Sequence, residues 1–162
     1  MRLRNHLFKL LAGTFLVALP ACGGDSGTGP SPGPTFENIA GSYAGVLAGI
    51  SQGVALEATF SIAIQQSAGD LSGSSSLVGT LSDGVILVAV QGSGTFTGTI
   101  ASGLNPSVNI TTASSLCPNH RPSFSGSFDS ANNVLTLNGP IDIVDDNCDV
   151  VLTFPSVIVL SR

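Results

Sequence analysis

Leu56-Glu57-Ala58-Thr59-Phe60-Ser61-Ile62-Ala63-Ile64-Gln65 alternates without a break: Leu56, Ala58, Phe60, Ile62 and Ile64 are apolar, and the residues between them are polar or small. Successive side chains of an extended backbone point to opposite faces, so this pattern predicts a strand with one buried and one wetted face. It ends at Ser67-Ala68-Gly69-Asp70, a cluster of turn-forming residues, and a second apolar alternation starts at Leu71.

Outward from that strand the same period of two recurs, punctuated by Gly, Asn, Asp and Ser. It predicts strands near 41–49, 71–80, 84–91, 94–101, 107–113, 123–129, 133–139 and 149–160, with Ser130 to Asn133 as a tight turn. Apart from 36–40, no window carries apolar residues at helical spacing without β-branched or Gly residues intervening. The expected fold is all-β: an antiparallel meander of about eight or nine strands over 36–162, closed or nearly closed as a barrel. A two-sheet β-sandwich is the alternative. The barrel is favoured by a recurring aromatic-x-Gly element, Tyr43-Ala44-Gly45, Phe96-Thr97-Gly98 and Phe124-Ser125-Gly126. In a strand each ring then stands beside a residue without a side chain, and the glycine lets the strand bend.

Composition narrows the partners. Only 9% of the 162 residues are charged, yet 50 are Leu, Ile, Val or Phe, which is enough apolar surface to offset the ordering entropy of one folded domain. Beyond Lys9 the chain carries ten carboxylates against Arg121 and Arg162, a net of −8. Nucleic acid is therefore not an expected partner, because phosphate binding needs a clustered basic face.

The first 21 residues read as an export signal: Arg2, Arg4 and Lys9, an apolar run over 10–19, and a small-residue exit at Ala21. That run is half the length needed to span a bilayer. Leu19-Pro20-Ala21-Cys22 resembles the lipobox of bacterial lipoproteins, with Pro20 an uncommon choice at the variable position. The resemblance implies that Cys22 carries palmitate-type acyl chains and becomes the mature terminus, anchoring the protein to a membrane. With Gly23 in place of the Asp that retains lipoproteins at the inner membrane, it implies the outer membrane of the bacterial envelope. Residues 22–35 then serve as the lipidated Cys and a Gly/Pro/Ser tether, with a mean reach of about 20 Å.

Ile39-Ala40-Gly41-Ser42-Tyr43 loosely resembles the opening of lipocalin-like and avidin-like barrels, although lipocalins place a Trp where Tyr43 stands and this chain has no Trp. Only the architecture is implied. In such barrels a basic residue on the last strand covers the opening aromatic; the counterpart here is Arg162, which can equally be a solvated terminus.

Cys117 and Cys148, an even pair in an exported chain, are expected to form a disulfide. Asp142, Asp145, Asp146 and Asp149, with Asn147, form the densest polar cluster. Its reading is a solvated hairpin tip; such oxygen donors could hold Ca²⁺ as the alternative, but the spacing departs from a calcium-binding loop. Catalysis is not expected. Gly49-Ile50-Ser51-Gln52-Gly53 matches the G-x-S-x-G string of serine hydrolases but lacks the following helix that would expose the Ser, and no Lys remains beyond Lys9. The functional expectation is a non-catalytic envelope lipoprotein, without a cofactor, that binds a small apolar ligand inside the barrel through Tyr43, Phe60, Ile62, Phe96, Phe124 and Phe128. The alternative is a solid-cored structural or interaction module meeting protein or glycan.

Overall fold

A computed structural model describes residues 33–162. The export signal, the lipobox with Cys22 and most of the tether lie outside the described residues. Gly33–Arg162 forms one unit, and its eight strands follow the alternation read from the sequence. They are β1 (Gly41–Ser51), β2 (Val54–Ser67), β3 (Asp70–Ser82), β4 (Leu87–Ile100), β5 (Ser107–Ser114), β6 (Ser123–Asp129), β7 (Val134–Val144) and β8 (Val150–Ser161). Each pairs antiparallel with the next, and β1 meets β8 to close the barrel. The sandwich alternative is thereby excluded.

One expected boundary is wrong. The sequence reading split 84–101 into two strands at Gly92-Ser93-Gly94, whereas β4 runs unbroken through these residues and the turn falls at 83–86. The small residues there serve close approach between strands, not a turn: a side chain at Gly94 would collide with the Ala113 carbonyl on β5. Asp83 makes the true turn, its carboxylate accepting from the N–H groups of Val85 (2.9 Å) and Ile86 (2.7 Å). The G-x-S-x-G string also finds its place here. Ser51 pairs with Val54 across a two-residue hairpin, with Gln52 and Gly53 both at positive φ.

The inward faces of all eight strands form the core, with Tyr43, Phe128, Phe154, Leu135, Leu137, Ile158 and Leu160 almost wholly buried. Each such side chain contributes roughly 1.5–3 kcal/mol relative to exposure. Tyr43 and Phe128 meet edge to face with centroids 6.3 Å apart, and Phe60 stacks with Phe124 at 6.4 Å. The aromatic-x-Gly expectation fails as stated, because Gly45, Gly98 and Gly126 face the backbone of neighbouring strands and not the ring two residues before them. The rings cover glycines on neighbouring strands: a side-chain carbon added at Gly73 would stand 2.8 Å from the Phe96 ring, and one at Gly139 2.5 Å from Phe124.

The two ends differ. Where β1 begins and β8 stops, residues 33–40 run without regular structure across the opening, and Ile39 is fully buried. Gln66 clamps that segment: its amide donates to the carbonyl of Glu37 (2.8 Å), and its oxygen accepts from the N–H of Ile39 (2.8 Å). The Tyr43 hydroxyl donates to the Ile39 carbonyl (3.0 Å), and the Arg162 guanidinium lies 5.5 Å from the Tyr43 ring centroid. Burial raises the Tyr43 pKa, and the Arg162 charge partly opposes that shift. The opposite end, formed by the turns at 52–53 and 83–86 and the loops 115–122 and 145–149, is the mouth.

Candidate functional site at the mouth of the barrel

Loop 115–122 crosses the mouth because three constraints hold it there. Cys117 is bonded to Cys148 of the β7–β8 hairpin, with their Cα atoms 5.6 Å apart. The N–H of His120 donates to the Cys117 carbonyl (3.0 Å), and the N–H of Thr112 donates to the Pro122 carbonyl (3.0 Å). The third is a side-chain pair: His120 Nε2 lies 3.0 Å from Asp142 Oδ2, and Asp142 Oδ1 accepts from the Thr153 hydroxyl at 2.6 Å. A charge-assisted bond of this kind, with both side chains mostly out of solvent, fixes the imidazole to the wall.

Beneath that loop lies a cavity of about 280 Å³. Its floor is apolar, with Phe60, Leu77, Val90, Ile141 and Ile143, and its rim brings together Thr112, Ser114, Leu116, His120 and Asp142. The space is widened where β4 carries a glycine. On β4, Gly92 opposes Leu77 of β3, and a side-chain carbon built at Gly92 would meet no atom within 4 Å. Deeper in the barrel the interior positions are occupied by large rings, Tyr43 against Phe128 and Phe60 against Phe124.

The residues expected to contact a ligand therefore divide. Phe60 lines the cavity. Ile62, Phe96 and Phe124 are buried in the packed interior, and Tyr43 and Phe128 pack together as part of it. Period two assigns all six to the inward face, but depth along the barrel decides which of them faces empty space. His120, Thr112 and Gly92 were missed as site residues. The signal for His120 was present, since it is the sole His beyond His6 and sits three residues from a disulfide cysteine. The signal for Gly92 was obscured by its resemblance to a turn.

The acidic cluster does not converge. Asp142 turns toward His120 and Thr153, while Asp145 caps its own hairpin, accepting from the N–H groups of Asn147 and Asp149 (both 2.9 Å). Those bonds, that from Asp149 foremost, hold the Asp145 carboxyl below the ordinary 3.8. Among the described residues no three His, Cys, Asp or Glu side chains share metal-binding geometry, so Asp142, Asp145, Asp146 and Asp149 do not assemble as a Ca²⁺ site.

Outside, β2 to β6 present a ladder of small polar side chains. Gln65, Ser72, Thr97, Thr111 and Ser123 lie side by side across five strands. Two broad depressions of about 620 and 580 Å³ run along this wall, larger than the mouth cavity but more open to solvent. Comparison with known protein families, curated proteins and solved structures finds no match to this chain.

Proposed function

We propose that this chain is a non-catalytic lipoprotein of the bacterial envelope, held to the outer membrane through acylated Cys22, and that its barrel binds a small, largely apolar molecule. The observation that carries the binding is the 280 Å³ mouth cavity with its floor of Phe60, Leu77, Val90, Ile141 and Ile143. An apolar cavity of about 150 Å³ suffices for benzene, so this one has room for a ligand of roughly two rings or a medium-length alkyl chain. Apolar area buried there drives binding, and the few polar groups at the rim orient the ligand. The anchor rests on the order of basic start, apolar run, Leu19-Pro20-Ala21-Cys22 and tether in the sequence.

Titration of the mature protein with the uncharged two-ring fluorophore 6-propionyl-2-(dimethylamino)naphthalene tests the binding. Saturable uptake near one per chain is expected. Gly92→Leu, which fills the open space over β4, should weaken uptake at least tenfold without lowering the melting temperature. Uptake that never saturates, or that Gly92→Leu leaves unchanged, would remove the cavity from consideration. The second reading would then stand: an interaction module that meets protein or glycan through the polar ladder of Ser72, Thr97, Thr111 and Ser123.

A further inference from the structure

Resting on that binding reading, we infer that the mouth selects by head group: it takes an apolar body bearing an uncharged or cationic polar head and rejects the carboxylate of a fatty-acid-like ligand. Among the described residues, the only titratable ones lining the cavity are His120 and Asp142, and they are bonded to each other. With the imidazole neutral the pair carries one negative charge, and with it protonated the pair is neutral. In neither state does the site offer a cation free to meet an anion. No Lys or Arg among the described residues lines the cavity.

The surroundings push the same way. Asp83 stands in the β3–β4 turn at this end, and Asp145, Asp146 and Asp149 stand in the β7–β8 hairpin. The one guanidinium in these loops, that of Arg121, is turned to the Pro118 carbonyl at 3.3 Å. A barrel mouth walled by low-dielectric strands strengthens the field of those charges relative to open water. A hydroxyl or ammonium head, by contrast, finds acceptors: the Asp142 carboxylate, whose oxygens keep lone pairs beyond those turned to His120 and Thr153, and the Thr112 hydroxyl, which donates to the Pro122 carbonyl and is free to accept.

A matched series of 2-(2-naphthyl)ethanol, 2-(2-naphthyl)ethylammonium and 2-naphthylacetate keeps the apolar body nearly constant while changing only the head. The absence of Trp leaves the naphthalene emission clear of protein background. For the mature protein at low salt, the alcohol and the ammonium should bind with the ammonium tighter, and the acetate at least tenfold more weakly than the alcohol. Raising ionic strength from about 0.01 to 0.5 M should shrink the alcohol-to-acetate ratio, because screening weakens the repulsion. In Asp142→Asn, whose amide oxygen can accept from Thr153 and whose NH2 can donate to a neutral His120 Nε2, the ratio should fall below threefold because the acetate binds more tightly, and the ammonium should lose its advantage over the alcohol. Acetate binding equal to the alcohol, or a ratio unmoved by both salt and Asp142→Asn, overturns the head-group inference and leaves apolar binding standing. Failure of all three to bind overturns the binding reading itself.

Discussion

Gly73 and Gly92 both face the barrel interior in the middle of strands, yet they stand in opposite surroundings. At Gly73 a methyl group would run into the Ala63 carbonyl and stand 2.8 Å from the Phe96 ring, whereas at Gly92 it would meet nothing. Gly73→Ala should therefore cost about 1–3 kcal/mol through overpacking, and Gly92→Ala should change stability by less than about 0.5 kcal/mol. Urea denaturation of the two variants side by side checks this, and equal losses would refute the packing described. Three aspartates make a second case. The carboxylate of Asp83 accepts from the Ile86 and Val85 N–H groups, that of Asp129 from Asn132, and that of Asp145 from Asp149 and Asn147, and all three pKa values lie below 3.8. A carboxyl whose folded pKa is depressed stabilises the fold above its unfolded value, and that contribution is lost as pH falls through the folded one. Stability should thus decline on acidification below about pH 4. The triple variant Asp83→Asn, Asp129→Asn, Asp145→Asn keeps turn-forming side chains without the charge, and its melting temperature should fall less between neutral pH and about pH 2.5 than that of the wild type.

The strand pairs owe their register to the turns between them. Asx-type bonds at Asp83, Asp129 and Asp145 fix three hairpins, and the positive-φ pair Gln52 and Gly53 fixes a fourth. Loop 115–122 has no such local device spanning its length, and the Cys117–Cys148 bond to the next hairpin compensates. Closing a chain loop of 31 residues stabilises by roughly 3–4 kcal/mol in the chain-entropy description. Replacing both cysteines with Ala should lower the melting temperature by on the order of 10 °C while leaving a folded barrel by circular dichroism. A melting temperature unchanged within a degree or two would mean that the loop is held by its hydrogen bonds alone.

The barrel as a whole has one plugged and one open end. Residues 33–40, the segment through which the tether joins, lie across the plugged end, and the cavity opens at the other. Anchorage is tested on the complete chain. Cys22→Ala should move the protein from the membrane fraction to the soluble periplasmic or culture fraction, and continued membrane association of that variant would refute the lipid anchor.

Period-two alternation made the strands, the inward face and the all-β class legible from residues alone, because a strand's two faces are set by backbone geometry irrespective of what it packs against. Ser67 to Asp70 and Ser130 to Asn133 were legible for the same reason, since their turn chemistry is local. Pairing Cys117 with Cys148 needed only their parity and the expectation of export read from residues 1–22. Gly92-Ser93-Gly94 misled because small residues serve both turns and close strand contacts, and only the position of β5 against β4 separates the two. Alternation likewise could not distinguish Phe60, at the floor of a cavity, from Phe128, packed against Tyr43, since both share the inward phase. The meeting of His120 with Asp142, 22 residues away, arises from barrel closure and the disulfide. Empty space and long-range polar contacts belong to the packing of eight strands together, and no single strand's pattern contains them.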